Sequence, residues 1–311
     1  MILAYDIGGT SIKAGVFDND VNLIKKIKHS YGSDAFKDEF PDILISNLFD
    51  IFQKFSTEFK ISVIGCGVPG VVDSEGVVEV APNMKNIRKY PLKKLLSSKV
   101  DVDVVLDNDA NTAALAELYK GNGRGISNFV YVTLGTGIGG AIIFNGKLYK
   151  GESGGAGEIG HIIIDYNNHS YDDRNYRYGT IEVLAGRQGI LNLTSELLKD
   201  YPHSPLNQID YDIQNISELS EVYDELSNEV LTITGNRIGT ALSSVANILD
   251  IPTFIIGGGI SKSKVLINEI KRTLVKRTIP SISKRINVIN AHFMDDTGIY
   301  GAATLTKFIE Y

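Results

Sequence analysis

The stretch Asn108-Asp109-Ala110-Asn111 follows an apolar run, Val104-Val105-Leu106, and precedes an alanine-rich helical run from Thr112 to Glu117. That order places one carboxylate at the carboxyl end of a predicted strand, where open α/β sheets put their chemistry. An aspartate there can take a proton from a substrate hydroxyl. Two glycine-threonine turns flank it in sequence, Gly8-Gly9-Thr10 and Gly135-Thr136-Gly137. Glycines let backbone N–H groups approach phosphate oxygens, and threonine adds a hydroxyl donor. Neither turn is a Walker loop, because the Gly-Lys-Ser/Thr ending is missing. Either alone reads as a tight hairpin turn; the pair, with Asp109, points to phosphoryl transfer to an alcohol. Asp6 precedes the first turn and is suited to orient a Mg²⁺, directly or through water. A solvated strand-end carboxylate is the competing reading. Lys13 is a weaker phosphate candidate, since lysines are common in strands.

A second group lies downstream. Gly157-Glu158-Ile159-Gly160-His161 carries a carboxylate and an imidazole three residues apart. On a helical turn both point the same way, and such a pair can bind vicinal sugar hydroxyls. Gly151, Gly154, Gly155, Gly157 and Gly160 indicate a backbone that must approach a ligand closely.

The elements that must position these residues read as follows. Ile2 to Ile7, Ile12 to Phe17 and Val21 to Ile27 form a strand meander around the first glycine turn, not the strand–helix start of a dinucleotide fold. A helix covers about Asp38 to Phe59, with Pro41 in its first turn. Strands follow at Ile61 to Cys66, Val77 to Val80 and Val102 to Leu106, with helices at Leu92 to Ser97 and Thr112 to Tyr119. Gly121 to Gly125 is a glycine-rich break, taken as a hinge. The opening pattern then recurs: strand Phe129 to Leu134, turn Gly135 to Gly140, strand Ala141 to Phe144, then an Asn145-Gly146 hairpin signal. Gly9-Thr10-Ser11-Ile12 and Gly135-Thr136-Gly137-Ile138 match in three of four places, 126 residues apart, which suggests two halves of related fold. Further helices are expected at Gly186 to Asp200, Ile216 to Asp250 with a break near Gly235, Ser263 to Arg277 and Gly298 to Ile309. Thr253 to Ile256 is a strand ending in Gly257-Gly258-Gly259, and Asn167 to Arg177 reads as a polar surface loop.

The bulk properties narrow the classes. The chain has 311 residues, 43% hydrophobic and 22% charged, as an ordinary globular protein has. Its net charge of −6 argues against a nucleic-acid-binding surface over the whole protein. A single cysteine, Cys66, rules out an intramolecular disulfide and any multi-cysteine metal site. Without a signal segment or a long apolar run, a cytoplasmic protein with no membrane partner is expected.

In combination, Asp6-Ile7-Gly8-Gly9-Thr10, Gly67-Val68-Pro69-Gly70, Ala81-Pro82-Asn83, Asn108-Asp109-Ala110-Asn111, Leu134 to Gly140 and Gly157 to His161 resemble the motifs of the ROK family (repressors, open reading frames and kinases). The resemblance spans nearly the whole chain and places it in the actin-like ATPase superfamily. It implies an α/β fold of two actin-like (ribonuclease H-like) lobes with a cleft between them: residues 1–120 plus a C-terminal helix 299–311, and residues 121–298. It implies ATP- and Mg²⁺-dependent phosphorylation of a sugar hydroxyl, glucose at the 6-position being the first expectation. N-acetylmannosamine, fructose and a β-glucoside are the alternative acceptors. Asp109 matches the family's base, Asn83, Asn108, Glu158, His161 and Glu182 its sugar ligands, and Gly257 to Gly259 the adenosine-side turn. A homodimer is also implied. The family's regulators carry a helix-turn-helix domain ahead of the first glycine turn; with Asp6 so near the start, none is expected. One departure concerns zinc. The family's Cys-x-Cys-Gly-x-x-Gly-Cys motif, aligned on Gly179, falls on Asp173, Asn175 and Thr180, poor zinc ligands as a set. No structural zinc is expected, and His161 must then be oriented by another hydrogen bond.

Overall fold

The computed structural model describes residues 1–81, 84–167, 171–172 and 177–308, with the side chains at 171, 172, 177 and 294 left aside. By contacts the chain divides into two units: residues 1–125, 148–156 and 295–311, and residues 126–147 and 157–294.

The first unit is built on a five-stranded sheet. Its strands are β1 (Ile2–Ile7), β2 (Ser11–Phe17), β3 (Leu23–Ser30), β4 (Val63–Val68) and β5 (Asp103–Asn108), in the order β3-β2-β1-β4-β5. β1 runs antiparallel to β2 and parallel to β4, which is parallel to β5. Side chains alternate along β1. Leu3, Tyr5 and Ile7 face a core filled by Phe40, Leu44, Leu48 and Phe55 of the helix Phe40–Ser56. The buried Tyr5 hydroxyl donates to the Leu48 carbonyl at 2.8 Å. Ile2 and Ala4 face the other way, against Ile299, Ala302 and Ala303 of the helix Thr297–Leu305. Cys66 is fully buried, and burial pushes its thiol far up, so it remains a neutral core residue.

A second five-stranded sheet repeats the arrangement. β6 (Phe129–Leu134), β7 (Ile138–Phe144), β8 (Lys147–Tyr149), β9 (Thr253–Gly257) and β10 (Asn287–Asn290) lie in the order β8-β7-β6-β9-β10. Here too a meander is followed by two parallel strands. Asn145 and Gly146, at φ of 53° and 72°, make the turn between β7 and β8 that their sequence signals.

Several boundaries differ from the sequence reading. β3 begins at Leu23 because the Asp18 carboxylate accepts from the Asp20 and Asn22 amides and widens the turn around Val21. β7 begins at Ile138, since Gly139 and Gly140 pair with Thr133 and Val132. Arg88–Tyr90 adds a short strand beside Val78–Val80. The stretch expected as a loop contains a short ladder, Tyr171–Asp172 with Arg177–Tyr178. The expected Gly186 to Asp200 helix is an α-helix Arg187–Leu197 with a 3₁₀ end, preceded by a separate short helix, Ile181–Ala185. The final helix ends at Leu305.

The largest correction concerns Gly235. The long helical region breaks not there but between Ile213–Glu221 and Glu225–Leu249. Asp224 caps the second helix, accepting from the Ser227 amide at 2.9 Å, and Tyr223 just before it has a φ of 67°. Gly235 lies inside the helix because another backbone passes close by. A Cβ there would sit 2.8 Å from the Glu269 Cβ and 3.0 Å from the Leu266 carbonyl oxygen of the helix Lys264–Arg277. Alanine is favoured over glycine in a helix by about 1 kcal/mol, whereas overpacking costs about 1–3 kcal/mol. Gly235→Ala should therefore lower stability by about 1–2 kcal/mol, read as a lower urea midpoint; a raised midpoint would contradict the packing argument.

Candidate active site

Strand register assembles the first group. Asp6 of β1 pairs with Gly67 of β4, and Gly67 pairs with Asp107 of β5, so the carboxyl ends of three parallel strands lie in one row. Asp6 shares the face of Ile2 and Ala4 and therefore meets the C-terminal helix. A Cβ on Gly298 would overlap the Asp6 carboxyl group, so only glycine leaves that carboxyl its place. The Asp6 side chain keeps a quarter of its exposure (25%), and Lys13 Nζ stands 4.0 Å away while donating to the Asp295 carbonyl at 2.8 Å. Burial pushes the Asp6 carboxyl above its ordinary range, and the Lys13 charge draws it part of the way back. Between β1 and β2 the glycine turn is closed by the Gly8 amide donating to the Ser11 carbonyl at 2.9 Å, with Thr10 exposed at its tip.

Asp109 is the first residue of the helix Asp109–Tyr119, which starts where β5 stops. Asn108 is its N-cap: Oδ1 accepts the Ala110 amide at 2.8 Å and the Asn111 amide at 3.1 Å. Its Nδ2 donates to the Gly70 carbonyl at 3.0 Å, joining the Gly67-Val68-Pro69-Gly70 turn to the helix start. Asp109 Oδ1 accepts from the Ala110 amide at 2.9 Å, which fixes the direction of the carboxylate. The residues Asp6, Gly8, Gly9, Thr10, Lys13, Asn108 and Asp109 thus all belong to the first unit.

The second unit carries the others. The Gly135 amide donates to the Gly137 carbonyl at 3.0 Å and closes the second glycine turn, and Gly135 and Thr136 are exposed. Glu182, on the helix Ile181–Ala185, is tied to that turn. Its Oε2 accepts the Ile138 amide at 3.0 Å, and the Arg187 amide donates to the Thr136 carbonyl at 3.2 Å. Glu158 precedes a 3₁₀ turn, Ile159–His161, and its Oε2 lies 3.4 Å from His161 Nε2, so the imidazole and carboxylate do share one side. Gly258 passes against the Leu134 carbonyl, which places Gly257 to Gly259 beside the start of the second glycine turn.

Asn83, Asp173 and Asn175 lie outside the described residues. Thr180, at the last of the three cysteine places, is 3% exposed and N-caps the Glu182 helix, its Oγ1 accepting the Val183 amide at 3.4 Å. That hydroxyl is committed to a helix end. Three positions were not legible as part of the site: Gly298, Asp107 and Lys150. Asp107 directly precedes Asn108 and is buried, which an acidic residue at a strand end only rarely is.

Comparison with known proteins finds matches over nearly the whole chain. The model of the ROK family matches residues 2–308. A glucokinase of Halalkalibacterium halodurans is 30% identical, over 97% of this chain and 93% of its own. An N-acetyl-D-glucosamine kinase of Escherichia coli is 28% identical, over 98% and 99%. Among solved structures, a ROK family glucokinase from Streptomyces griseus in complex with glucose and AMPPNP superimposes with a TM-score of 0.84 at 27% identity, covering 98% of both chains.

The raised Asp6 carboxyl has a consequence for stability. Only between the ordinary carboxylate value and the raised one does the folded chain hold a proton that the unfolded chain has released. Stability from this group therefore falls as pH rises from the ordinary carboxylate value through the raised one, and the penalty is complete above it. Asp6→Asn removes the penalty. The variant should be more stable than the parent at neutral pH, with the difference vanishing below the ordinary carboxylate range. Urea unfolding across pH reads this directly, and equal stability at pH 7 would refute it.

Proposed function

The chain belongs to the ROK family and is a sugar kinase, and on that premise we propose that it transfers the ATP γ-phosphoryl group to the 6-hydroxyl of glucose. The observation that carries the reading is the place of Asp109: first residue of a helix, at the carboxyl end of β5, with its carboxylate held by the helix's own amide. In the proposed reaction the sugar hydroxyl oxygen attacks the γ-phosphorus, the bond to the ADP oxygen breaks, and Asp109 accepts the hydroxyl proton. An aspartate is a weak base, so it acts by position and late in the transfer. Asn108, Glu158, His161 and Glu182 are assigned to the sugar, and the two glycine turns to the phosphates. Glu158 and His161, side by side, offer acceptors and a donor to adjacent hydroxyls. Lys13, which leans on Asp6 and the Asp295 carbonyl, supplies positive charge beside the first turn.

Asp6 fits a Mg²⁺ that keeps most of its waters, because one carboxylate beside phosphates suffices for such an ion. Among the described residues no set of three acidic, histidine or cysteine ligands forms a protein cage, in keeping with that mode. Bound there, the ion would neutralise charge on the phosphate oxygens. Gly298 supports Asp6 by leaving space for its carboxyl group.

The second reading is an N-acetylhexosamine acceptor, favoured by the near-equal identity to the Escherichia coli enzyme. A coupled ADP-release assay over glucose, fructose, N-acetylglucosamine and N-acetylmannosamine decides between them. Glucose should give the highest kcat/KM, and a higher value for an N-acetyl sugar would replace the first reading with the second. Asp109→Asn should lower kcat by about 10²–10⁴ while glucose affinity, measured by calorimetry, stays near that of the parent. Near-normal turnover in that variant would remove Asp109 from the role of base.

A further inference from the structure

A buried charge adjoins the proton-accepting stretch and has no part in the reaction as written. Asp107, 2% exposed, ends β5 just before Asn108. Both of its carboxylate oxygens are engaged. Oδ1 accepts the Asn108 amide at 2.7 Å and Asn111 Nδ2 at 2.9 Å, and Oδ2 lies 2.9 Å from Lys150 Nζ. A carboxylate this buried requires an opposite charge. Lys150 supplies it at modest desolvation, its own side chain keeping 40% exposure.

Lys150 belongs to the segment 148–156, which is grouped with the first unit although its flanks belong to the second. Two backbone contacts pin the same segment. The Ala156 amide donates to the Lys150 carbonyl at 3.1 Å, and a Cβ on Gly154 would stand 2.5 Å from the Val72 carbonyl oxygen. Glu158 follows Ala156 by two residues, a reach of at most about 7 Å of chain. Residues 150–156 therefore lead directly into the Glu158–His161 turn. The cluster is not arranged for stability alone. Asn111 gives its amide to Asp107, and its own Oδ1 has no partner among the described residues, an unfavourable state for a buried acceptor.

We propose that the Lys150–Asp107 pair is a positioning device for the acceptor sugar. It holds the loop 150–156, from which the chain runs directly on to Glu158 and His161, by the carboxylate that also accepts the Asn108 amide. Lys150 is a positioning residue and touches no reacting atom. The inference rests on the reading of Glu158 and His161 as sugar ligands.

The test uses the full chain and four variants: Lys150→Met, Lys150→Arg, Asp107→Asn and the double variant Lys150→Met/Asp107→Asn. Hexose KM, ATP KM, kcat and Tm are measured for each. Small displacements of positioned groups change reaction parameters by up to about 10²-fold, and Lys150→Met should raise hexose KM about tenfold or more with ATP KM within about twofold. Lys150→Arg should restore most of the hexose affinity. The double variant leaves no buried charge unpaired and so separates folding from positioning. Its hexose KM should match that of the worse single variant rather than the product of both effects. A lowered Tm with hexose KM unchanged in Lys150→Met and in the double variant would make the pair merely structural and overturn the proposal. Should the parent chain phosphorylate no hexose, the functional reading falls and the positioning role with it; an active parent with an insensitive KM removes the positioning role alone.

Discussion

Parallel pairing of β4 between β1 and β5 is the constraint on which the first unit depends. It brings Asp6, Gly67 and Asp107 into one row. Adjacent strands lie about 4.8 Å apart, so Asp6 and Asp107 are held about 10 Å from each other, with Asp109 two residues past the row. Alternation along β1 then decides what each carboxylate meets. A slip of one residue would turn Asp6 into the core of Phe40, Leu44 and Leu48 and turn Tyr5, whose hydroxyl is bound to Leu48, toward the small-residue face of the helix Thr297–Leu305. Burial of that aromatic face therefore fixes the direction of a polar side chain on the opposite face.

The second unit uses the same strand order for a different purpose. With the turns aligned on Gly9 and Gly135, the counterpart of Asp6 is Val132, which is fully buried in β6. The strand-end carboxylate thus has no equivalent there, and the turn after β6 is held instead by a side chain from outside the sheet, Glu182 on the Ile138 amide. One sheet plan supports two site types because the backbone of a strand–turn–strand is indifferent to the side chain at the strand end. In the proposed function the carboxylate that braces this turn also binds the sugar, so that reading has the phosphate turn and the sugar ligands of this unit share a group.

Features set by local geometry were legible in the sequence. Glycine turns between apolar strands, the Asn145-Gly146 hairpin, the strand before Asn108 and the Glu158–His161 spacing each depend on a few neighbouring residues. Features set by distant partners were not. Gly235 looks like a helix breaker until the helix Lys264–Arg277 is seen to need its missing side chain. Gly298 looks like a helix start until Asp6 is found against it. Asp107 reads as one more acid in a polar run, and only the fold shows that it is buried and facing Lys150. The separate helix bearing Glu182 escaped notice because five residues carry too little periodicity.

The departure at the zinc motif can be understood through the backbone. His161 and Glu182, proposed as sugar ligands, sit on two stretches that are joined through their backbones. Here the Ile164 amide donates to the Gly179 carbonyl at 2.9 Å and the Ile181 amide to the Ile162 carbonyl at 2.9 Å, around a bridge between Ile163 and Thr180. Thr180 then caps the helix of Glu182, and Glu158 lies against the imidazole of His161. These contacts supply a join between the stretches, the start of the helix and a partner for the ring. Thiolate–zinc links need deprotonated ligands and a supply of metal. Amide–carbonyl bonds such as those joining Ile164 to Gly179 and Ile181 to Ile162 need neither.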